Sequence, residues 1–294
     1  MSFVYLCHMK SSNDYSLIDS GDGRKLERFG GYLLNRPASQ AVWRPSLPAK
    51  EWDKAHVMVD RDGKRTILNR DRIPDTWSTV IEGIRFKLSV TDFGHIGVFP
   101  EQRANWARLN SIVSGQVAGG HQPNVLNLFA YSGGSTLACA LAGAKVTHLD
   151  ASKGMVTWAR ENADLNGLQD APIRWIVDDV IKFCERELRR GNRYDGIILD
   201  PPTYGRGKAN EVFKIEEHLP PLLDMCAELI TDNPAFVLLS CHTPGFSPIV
   251  LSHLLRQALG NRPGSYTPDE MLLEGADPNT FPLPNGTQCF WVND

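Results

Sequence analysis

The second half of the chain alternates short apolar runs with longer segments of helix-forming sequence. Six apolar runs have the length and composition of buried β-strands, and they lie near residues 125–129, 145–149, 173–177, 195–200, 235–240 and 287–292. Strands that alternate with helices predict an α/β fold with a doubly wound, mostly parallel sheet. Ligands of such sheets bind at the carboxyl ends of the strands, so the residues that follow these runs are the candidates for a functional site.

The first third of the chain has a different pattern. Residues from about 15 to 97 form short alternating runs broken by Gly, Pro, Asn and Asp, which indicates a small β-rich domain. A helix is predicted from Glu101 to about Ser114, and the Gly-rich link Val117–Gly120 follows it. These patterns predict three parts, namely the β-rich domain at 1–97, a helix and linker at 98–122 and the α/β domain at 123–294.

Length and cysteine usage narrow the class of protein. A chain of 294 residues is long enough for one or two domains with a sizeable core. No apolar run reaches the roughly 20 residues that span a bilayer, and the N-terminus lacks the pattern of a signal peptide, so we expect a cytoplasmic protein with no membrane partner. The six cysteines are scattered with no C-x-x-C pair, so we expect reduced thiols and no metal site.

The net charge of −3 conceals an uneven distribution along the chain. Residues 1–118 carry a formal charge of +4 and the remainder carries −7. Basic residues of the first part are interleaved with the aromatic residues Phe29, Tyr32 and Trp43, a mixture that can contact phosphates and stack bases. These basic residues are Arg24, Lys25, Arg28, Arg36, Arg44, Arg61, Lys64, Arg65, Arg70 and Arg72. Acidic residues are interleaved too, so an ordinary solvated surface is the alternative interpretation.

A strand, a tight turn and a helix are predicted across residues 125–142. Gly133 and Gly134 lack a Cβ, so the backbone there can approach a ligand closely, although tight packing of helix on strand is the alternative reason for the pair. Asp150 ends the next strand about 20 residues further on, where nucleoside-binding folds place an acid on ribose hydroxyls. We expect Ser152 to cap the following helix and leave Asp150 free. Because no Gly-x-Gly-x-x-Gly is present, a ligand with a ribose and no pyrophosphate fits best.

Four motifs in this order resemble the class I S-adenosylmethionine-dependent methyltransferases, and most closely the branch containing bacterial large-subunit rRNA cytosine-5 methyltransferases. The motifs are Asn127–Gly134, Asp150, Asp178–Val180 and Asp200–Tyr204. The resemblance covers roughly Phe93 to the C-terminus. It implies a Rossmann-like, seven-stranded methyltransferase sheet, S-adenosyl-L-methionine as the methyl donor and S-adenosyl-L-homocysteine as the product.

Position by position, the resemblance assigns donor-binding roles. It places Asp150, flanked by Ala151 and Ser152, on the ribose, and Asp179, or else Asp178, near the adenine amino group. The residues around the methionine part are Phe129, Ala130, Tyr131, Ser132, Gly133 and Gly134. An ordinary helix N-cap with an acidic first turn is the alternative interpretation of the Asp pair.

The segment Gly97–Arg103 resembles one that precedes the catalytic domain in this branch and helps to hold the amino-acid end of the donor. It adds Phe99, Gln102 and Arg103 to the expected donor site, and Arg103 could pair with the donor carboxylate. A solvated first turn of a helix is the alternative.

The acceptor side of the site is predicted at Asp200-Pro201-Pro202-Thr203-Tyr204. Asp200 and the Pro201 carbonyl should project at the donor's methyl group, and Tyr204 can stack on a planar base. The alternative is a rigid turn at a strand end with no role in binding. In amino-directed methyltransferases an aromatic residue directly follows the two prolines, whereas Thr203 intervenes here, as in the cytosine-5 branch.

Cys241 is the candidate nucleophile, because methylation of cytosine C5 requires a thiolate that first adds to C6. It follows the apolar run 236–240, at the position of the nucleophile in the branch. The branch has Ser-Cys-Ser where this chain has Ser240-Cys241-His242, and His242 could lower the pKa of the thiol. A small buried cysteine at a strand end is the alternative interpretation.

Three functions are consistent with the sequence. The first is an RNA methyltransferase acting on rRNA, either through Cys241 or by direct transfer to a base nitrogen held by Asp200 and Tyr204. The second is a methyltransferase for a small molecule or a protein. The third is a catalytically silent RNA-binding protein with the same fold. The sequence identifies neither the acceptor base nor the oligomeric state.

Overall fold

The structure is a computed structural model that describes residues 15–59, 65–67, 73–91, 95–206 and 212–293. It divides into two compact units. The first unit contains the residues up to Pro100 together with Leu273–Leu283, and the second contains Glu101–Leu272 and Pro284–Asp294. The predicted division at 97 and 122 does not include the return of Leu273–Leu283 to the first unit. That division stays a prediction.

The first unit is built mainly of antiparallel strands. Five strands form one sheet in chain order, with one parallel pair between the third and fourth, and two more strands form a separate hairpin. The strands are β1 (Tyr15–Gly21), β2 (Arg24–Phe29), β3 (Tyr32–Pro37), β4 (Val57–Val59), β5 (Arg65–Ile67), β6 (Trp77–Ile81) and β7 (Ile84–Leu88), and the helix α1 is Ala49–Trp52. Asp22 and Gly23, both with positive φ, make the tight β1–β2 turn, which is the usual chemistry of a two-residue hairpin. The predicted β-rich N-terminal region is confirmed.

Several basic residues of this unit have internal partners. Arg24 donates to Asn35 Oδ1 at 2.6 Å and to the Val59 carbonyl at 2.6 Å. Lys25 and Arg36 pair with the fully buried Glu27 at 3.4 Å and 2.7 Å. These three therefore have structural roles, which neither a nucleic-acid surface nor the alternative of an ordinary solvated surface predicts.

Other members of the proposed nucleic-acid surface differ in exposure. The Phe29 side chain is buried and offers no stacking face, whereas Arg28 and Arg44 are exposed. Arg61, Lys64, Arg70 and Arg72 lie outside the described residues. Exposed cationic groups in the described part of this unit are therefore fewer than the sequence predicts.

The second unit contains a seven-stranded sheet. Its order is β10-β9-β8-β11-β14-β16-β15, in which the first five strands are parallel and β16 is antiparallel to β14. The strands are β8 (Asn124–Leu128), β9 (Lys145–Asp150), β10 (Ile173–Val177), β11 (Gly196–Leu199), β14 (Phe236–Cys241), β15 (Ser265–Leu273) and β16 (Leu283–Val292). The predicted doubly wound, mostly parallel sheet is confirmed.

Helices cover both faces of this sheet. They are α2 (Arg103–Ala118), α3 (Gly134–Leu141), α4 (Lys153–Leu165), α5 (Val180–Arg190), α6 (Ile215–Leu229) and α7 (Pro248–Leu259), and a short hairpin of β12 (Tyr204–Arg206) and β13 (Val212–Lys214) precedes α6. Along β8, Leu126 and Leu128 face one apolar core, which α5, α6 and α7 complete, and Val125 faces the other, beside α2 and α3. Within the described ranges, no helix combines the length and apolar character needed to cross a bilayer.

The helix predicted at Glu101–Ser114 differs at both ends. Pro100–Gln102 form a 3-10 turn, so the α-helix begins at Arg103. It continues through Val117 and Ala118 and ends where Gly119 and Gly120 follow, so the predicted link is shorter than expected. Glycine terminates the helix because it adopts the non-helical backbone at no steric cost, and Gly120 has a φ of +85°.

Candidate active site

The turn between β8 and α3 is held in an unusual backbone conformation. Phe129 and Tyr131 both have left-handed φ, 56° and 49°, which is rare for aromatic residues. Two hydrogen bonds from the turn to β9 support it, from Ala130 N to the Leu149 carbonyl at 3.0 Å and from Tyr131 N to Asp150 Oδ2 at 3.0 Å. Strained residues of this kind persist only where the surroundings enforce them, and they concentrate at ligand sites.

The two glycines of this turn are required for different structural reasons. Gly133 is the N-cap of α3, with a φ of 94° that disfavours other residues. A Cβ on Gly134 would lie 2.4–2.9 Å from three indole atoms of Trp106 in α2. Gly134 is therefore required for packing of α2 on α3, a contact between two helices, whereas the alternative interpretation of the glycine pair was packing of a helix on a strand. Ser132 is also fixed, because its carbonyl accepts from Asn162 Nδ2 at 2.9 Å.

Asp150 lies at the carboxyl end of β9, as predicted, and it connects two segments. Its Oδ2 accepts from Tyr131 N and its Oδ1 accepts from Ser152 N at 2.8 Å. Ser152 caps α4 as predicted, accepting from Met155 N at 3.4 Å. Asp150 was expected to be free, but both of its oxygens accept backbone hydrogen bonds. Each carboxylate oxygen still keeps a lone pair for a ligand hydroxyl. Burial raises the pKa of Asp150, and the two backbone donors oppose that shift.

Asp178 and Asp179 follow β10 next to Asp150. Asp179 is the N-cap of α5, accepting from Lys182 N at 3.0 Å, which is the alternative interpretation of this pair. Asp178 accepts from Asp179 N at 2.8 Å and forms an ion pair with Arg186. Its own N–H donates to the Asp150 carbonyl at 3.2 Å, so the adenine candidates and the ribose candidate are adjacent. Which of the two contacts adenine stays a prediction.

A second group of polar residues lies where β11 and β14 end. Leu199 and Leu239 are paired in register, so Asp200 and Ser240 lie side by side. Gln102 joins them, because its Nε2 donates to Asp200 Oδ2 and to Ser240 Oγ, both at 3.0 Å. Asn105 in turn donates to Gln102 Oε1 at 2.7 Å. The structure therefore brings Gln102 and Asp200, two separately predicted residues, into direct contact.

His242 lies between two carboxylates. Its Nε2 is 3.1 Å from Glu101 Oε1 and its Nδ1 is 3.4 Å from Asp200 Oδ1. Burial alone would lower the pKa of His242, but the charges of Asp200 and Glu101 and hydrogen bonds to them raise it to about 11. Burial alone would raise the pKa of Asp200, but His242, Ser240 and Gln102 bring it below its ordinary value. At neutral pH the cluster therefore places the His242 imidazolium beside a charged Asp200 carboxylate.

Cys241 has different surroundings from its neighbours. Its side chain is 1% exposed and belongs to the apolar core beneath α6 and α7. Successive residues of a strand point to opposite faces, and Ser240 is the one whose side chain faces Asp200. Burial raises the pKa of the Cys241 thiol above its ordinary value despite a hydrogen bond from Thr243 N at 3.3 Å and the opposing charge of His242.

The remaining predicted residues differ in position and exposure. Pro201 is buried, whereas Tyr204 is 50% exposed at the start of the β12–β13 hairpin. Phe213 of the same hairpin lies 5.2 Å from Phe129, between ring centres. Arg103 is the first residue of α2, Ala151 is exposed after β9, and Phe99 belongs to the first unit.

Several residues of the site were not predicted from the sequence. Glu101 Oε1 accepts from Asn285 Nδ2 at 2.6 Å in addition to facing His242. Beneath the strained turn, Thr136 Oγ1 accepts from Asn127 Nδ2 and contacts His148 Nδ1, both at 2.9 Å. Burial lowers the pKa of His148 to about 3, so this ring is neutral. Asn285 lies in no recognised motif, whereas Glu101 lies in the segment 97–103 and Asn127 begins the motif 127–134.

The polar groups of the site fit a cationic ligand that carries a ribose. Glu101 Oε2 is buried and makes no hydrogen bond within the described part of the chain, whereas the buried Asp200 Oδ1 faces His242 Nδ1 at 3.4 Å. Buried acceptor atoms without a donor are costly, and a sulfonium or an ammonium group would compensate them. Within the same residues, no group of three or more His, Cys, Asp or Glu side chains is arranged to hold a metal ion.

Comparison with known proteins gives a family match. The family model described as S-adenosylmethionine-dependent methyltransferase matches residues 36–258. Among curated proteins, the ribosomal RNA large subunit methyltransferase K/L of Shewanella sp. (strain MR-4) is 34% identical over 158 residues, covering 53% of this chain and 21% of that protein. The chain thus spans about a fifth of the length of the curated relatives it matches.

Two solved structures share the fold. The SAM-dependent methyltransferase from Agrobacterium tumefaciens is 37% identical, with a TM-score of 0.90 over 97% of this chain and 92% of that one. The methyltransferase SMU.776, complexed with SAH, is 20% identical, with a TM-score of 0.75 over 95% of this chain and 76% of that one. The match to the first of these extends over both units of the chain.

Proposed function

The chain belongs to the S-adenosylmethionine-dependent methyltransferase family, and from this we propose that it methylates a base in RNA, with rRNA as the substrate class. It is an enzyme, and S-adenosyl-L-methionine is its methyl donor. The RNA assignment is supported by relatives that are named ribosomal RNA methyltransferases and that match about half of this chain. A basic, aromatic N-terminal surface supports it less than the sequence predicts, because Arg24, Lys25 and Arg36 have internal partners.

We assign the donor to the carboxyl ends of β8, β9 and β10. The turn Phe129–Gly134 would surround the methionine part, Asp150 would accept from the ribose hydroxyls, and Asp178 or Asp179 would contact the adenine. When bound, S-adenosylmethionine supplies an electrophilic methyl group on a sulfonium. Asp150 accepts hydrogen bonds from Tyr131 N and Ser152 N, which fix its carboxylate before S-adenosylmethionine binds. This reduces the entropy cost of ordering the site on binding.

The observation that carries the acceptor assignment is the position of Asp200. It follows β11 beside Gln102 and Ser240, is held by Gln102 on Oδ2 and faces His242 through Oδ1, and carries a charge at neutral pH. Such a carboxylate can orient the acceptor base against the methyl group by accepting from an N–H of the base. The exposed ring of Tyr204 is available to stack on that base.

Direct transfer to a base nitrogen is the mechanism that this geometry favours. A direct transfer needs only orientation, since the methyl group is already reactive. Cytosine C5 methylation would instead require the Cys241 thiolate, and that side chain is buried against α6 and α7 with a raised pKa. The nucleophile role of Cys241 stays a prediction, and it is the second candidate mechanism because the residue ends β14 at the same edge of the sheet as Asp200.

The deciding experiment uses methyl-labelled S-adenosylmethionine and RNA from cells that lack the gene. The RNA is digested after the reaction and the labelled nucleoside is identified. We expect label in a nucleoside methylated at nitrogen, about a hundredfold lower turnover for Asp200→Ala, and turnover within about threefold of the original for Cys241→Ser. Label in 5-methylcytidine, lost in Cys241→Ser, would establish the thiolate mechanism instead.

Protein and small-molecule extracts serve as parallel acceptors in the same assay. Label in either extract and not in RNA would transfer the function to the second class of methyltransferase. Binding of the donor and of RNA without any transfer would identify a catalytically silent RNA-binding protein. The Asp150→Ala variant is the matched negative control, because it should lose donor binding while the Asp200 cluster stays intact.

A further inference from the structure

His242 joins three segments of the chain that are far apart in sequence. Its two ring nitrogens face Glu101, in the 3-10 turn before α2, and Asp200, after β11. The ring also packs closely against β16. A Cβ on Gly286 would lie 3.0 Å from His242 Cδ2 and 2.5 Å from Met271 Cε, so the absence of a side chain at this position leaves room for both residues.

The two contacts exclude one role for this histidine. A general base needs a ring nitrogen with a free lone pair. Here both nitrogens face carboxylate oxygens, so both carry protons and the ring is a cation. Among the described residues, Cys241 precedes His242 in the chain and Gly286 of β16 lies close to the ring, and neither is a cation.

The charges of the cluster explain what the cation does. Two carboxylates in one partly buried site repel each other, and one of them then takes up a proton at a pH where an isolated carboxyl would be charged. An imidazolium between them removes that repulsion. Gln102 and Asn285 also donate to Asp200 and Glu101, but both are neutral and cannot replace the charge.

We propose that His242 is a positioning residue that bridges Glu101 and Asp200, so that Asp200 stays a charged, fixed hydrogen-bond acceptor for an N–H group of the acceptor base. This inference rests on the proposed function of Asp200 and deepens it, because it specifies an acceptor edge that donates a hydrogen bond. It also assigns Glu101 a role, as the second anchor of the imidazolium.

The bridge itself is tested without any substrate. The full chain is labelled with ¹⁵N-histidine, and the signal of His242, one of eight histidines, is assigned by its absence in His242→Gln. We expect both ring nitrogens to be protonated at about pH 8, well above the ordinary titration of histidine. A signal that titrates near about pH 6.5 would overturn the proposal, whatever the substrate of the enzyme.

The consequence for methyl transfer is tested by a pH profile. In His242→Gln the cation is missing, and we expect the pKa of Asp200 to be higher than in the original protein. The Asp200 charge is then lost as the pH falls towards that pKa, and it returns at higher pH. For the acceptor, we therefore expect kcat/KM of His242→Gln to be about 10–100-fold lower than that of the original protein near pH 6. Near pH 9 the two values should agree within about threefold. Donor affinity should stay within about threefold, since the residues assigned to the donor follow β8 and β9, whereas His242 follows β14.

The matched control is His253→Gln, which changes an exposed histidine of α7 and should leave the profile unchanged. A loss by the same factor at every pH would mean that His242 acts only through folding, and it would overturn the proposal. If the original protein methylates no RNA, the proposed function fails, but the NMR titration still decides whether the bridge exists.

Discussion

Gly134 shows how one missing side chain fixes the packing of two helices. A Cβ at this position would overlap the Trp106 indole, and the nearest separation of 2.4 Å is far inside van der Waals contact. We expect Gly134→Ala to lower the free energy of unfolding by about 1–3 kcal/mol, because the indole or the helix must move. Urea unfolding of the second unit measures it.

Gly154→Ala is the matched control for that substitution. Gly154 lies in α4, and its Cβ would meet nothing closer than Ser152 Oγ at 3.7 Å. We expect this variant to be more stable by about 0.5–1 kcal/mol, as is usual when alanine replaces glycine in a helix. Equal effects of the two substitutions would contradict the packing explanation of Gly134.

Glu27 is the corresponding residue in the first unit, where one carboxylate connects the strands β1, β2 and β3. Tyr15 donates to it at 3.0 Å, and Lys25 and Arg36 form ion pairs with it. Burial alone would raise the pKa of Glu27, but Arg36, Lys25 and Tyr15 hold it below the ordinary value. Removal of the charge would leave Lys25 and Arg36 without their buried partner, which usually costs about 3–5 kcal/mol.

We therefore expect Glu27→Gln to destabilise the β1–β3 sheet by about that amount, measured as faster hydrogen exchange of its amides. The sign of the pH effect follows from a pKa that is lower in the folded protein. The stabilisation is present above the ordinary glutamate pKa of 4.5 and is lost as the pH falls through the lowered value. Glu51→Gln, which removes an exposed ion pair with Lys54, should have no measurable effect.

The strands of the second unit could be predicted because buried parallel strands are continuous apolar runs. The exception is β15, at the edge of the sheet, whose first six residues include four polar ones and Pro268. An edge strand tolerates proline and exposed side chains, so it lacks the apolar pattern. Local sequence also could not show that Leu273–Leu283 joins the first unit, where Ala276 N donates to the Leu17 carbonyl at 2.7 Å.

The site was predictable to the extent that its residues follow strands. Asp150, Asp200 and Cys241 stand at the expected carboxyl ends, because the order of strands in the sheet sets those positions. The direction in which each side chain points was not predictable, and this is why Ser240, not Cys241, contacts Gln102. The Glu101–His242–Asp200 cluster combines three distant segments, so no local motif could indicate it.

The distribution of charge over the protein makes a prediction about RNA binding. The chain has a net charge of −3, and part of its N-terminal basic content is used in internal contacts. Few phosphates should therefore be neutralised, and we expect the logarithm of RNA affinity to fall with the logarithm of salt concentration with a slope of about −2 to −4. Fluorescence anisotropy with a short RNA measures the slope. A slope near zero would contradict contact with phosphates.

The C-terminal segment that completes both units has a consequence for synthesis. The first unit needs Leu273–Leu283, and β16 pairs with β14 inside the sheet of the second. A ribosome adds about 5–20 residues each second, so the first hundred residues wait roughly 10–40 s for their missing segment. The sheet of the second unit likewise stays incomplete until β16 has been made. During that wait the Leu17 carbonyl lacks the hydrogen bond from Ala276 N that it accepts in the folded protein.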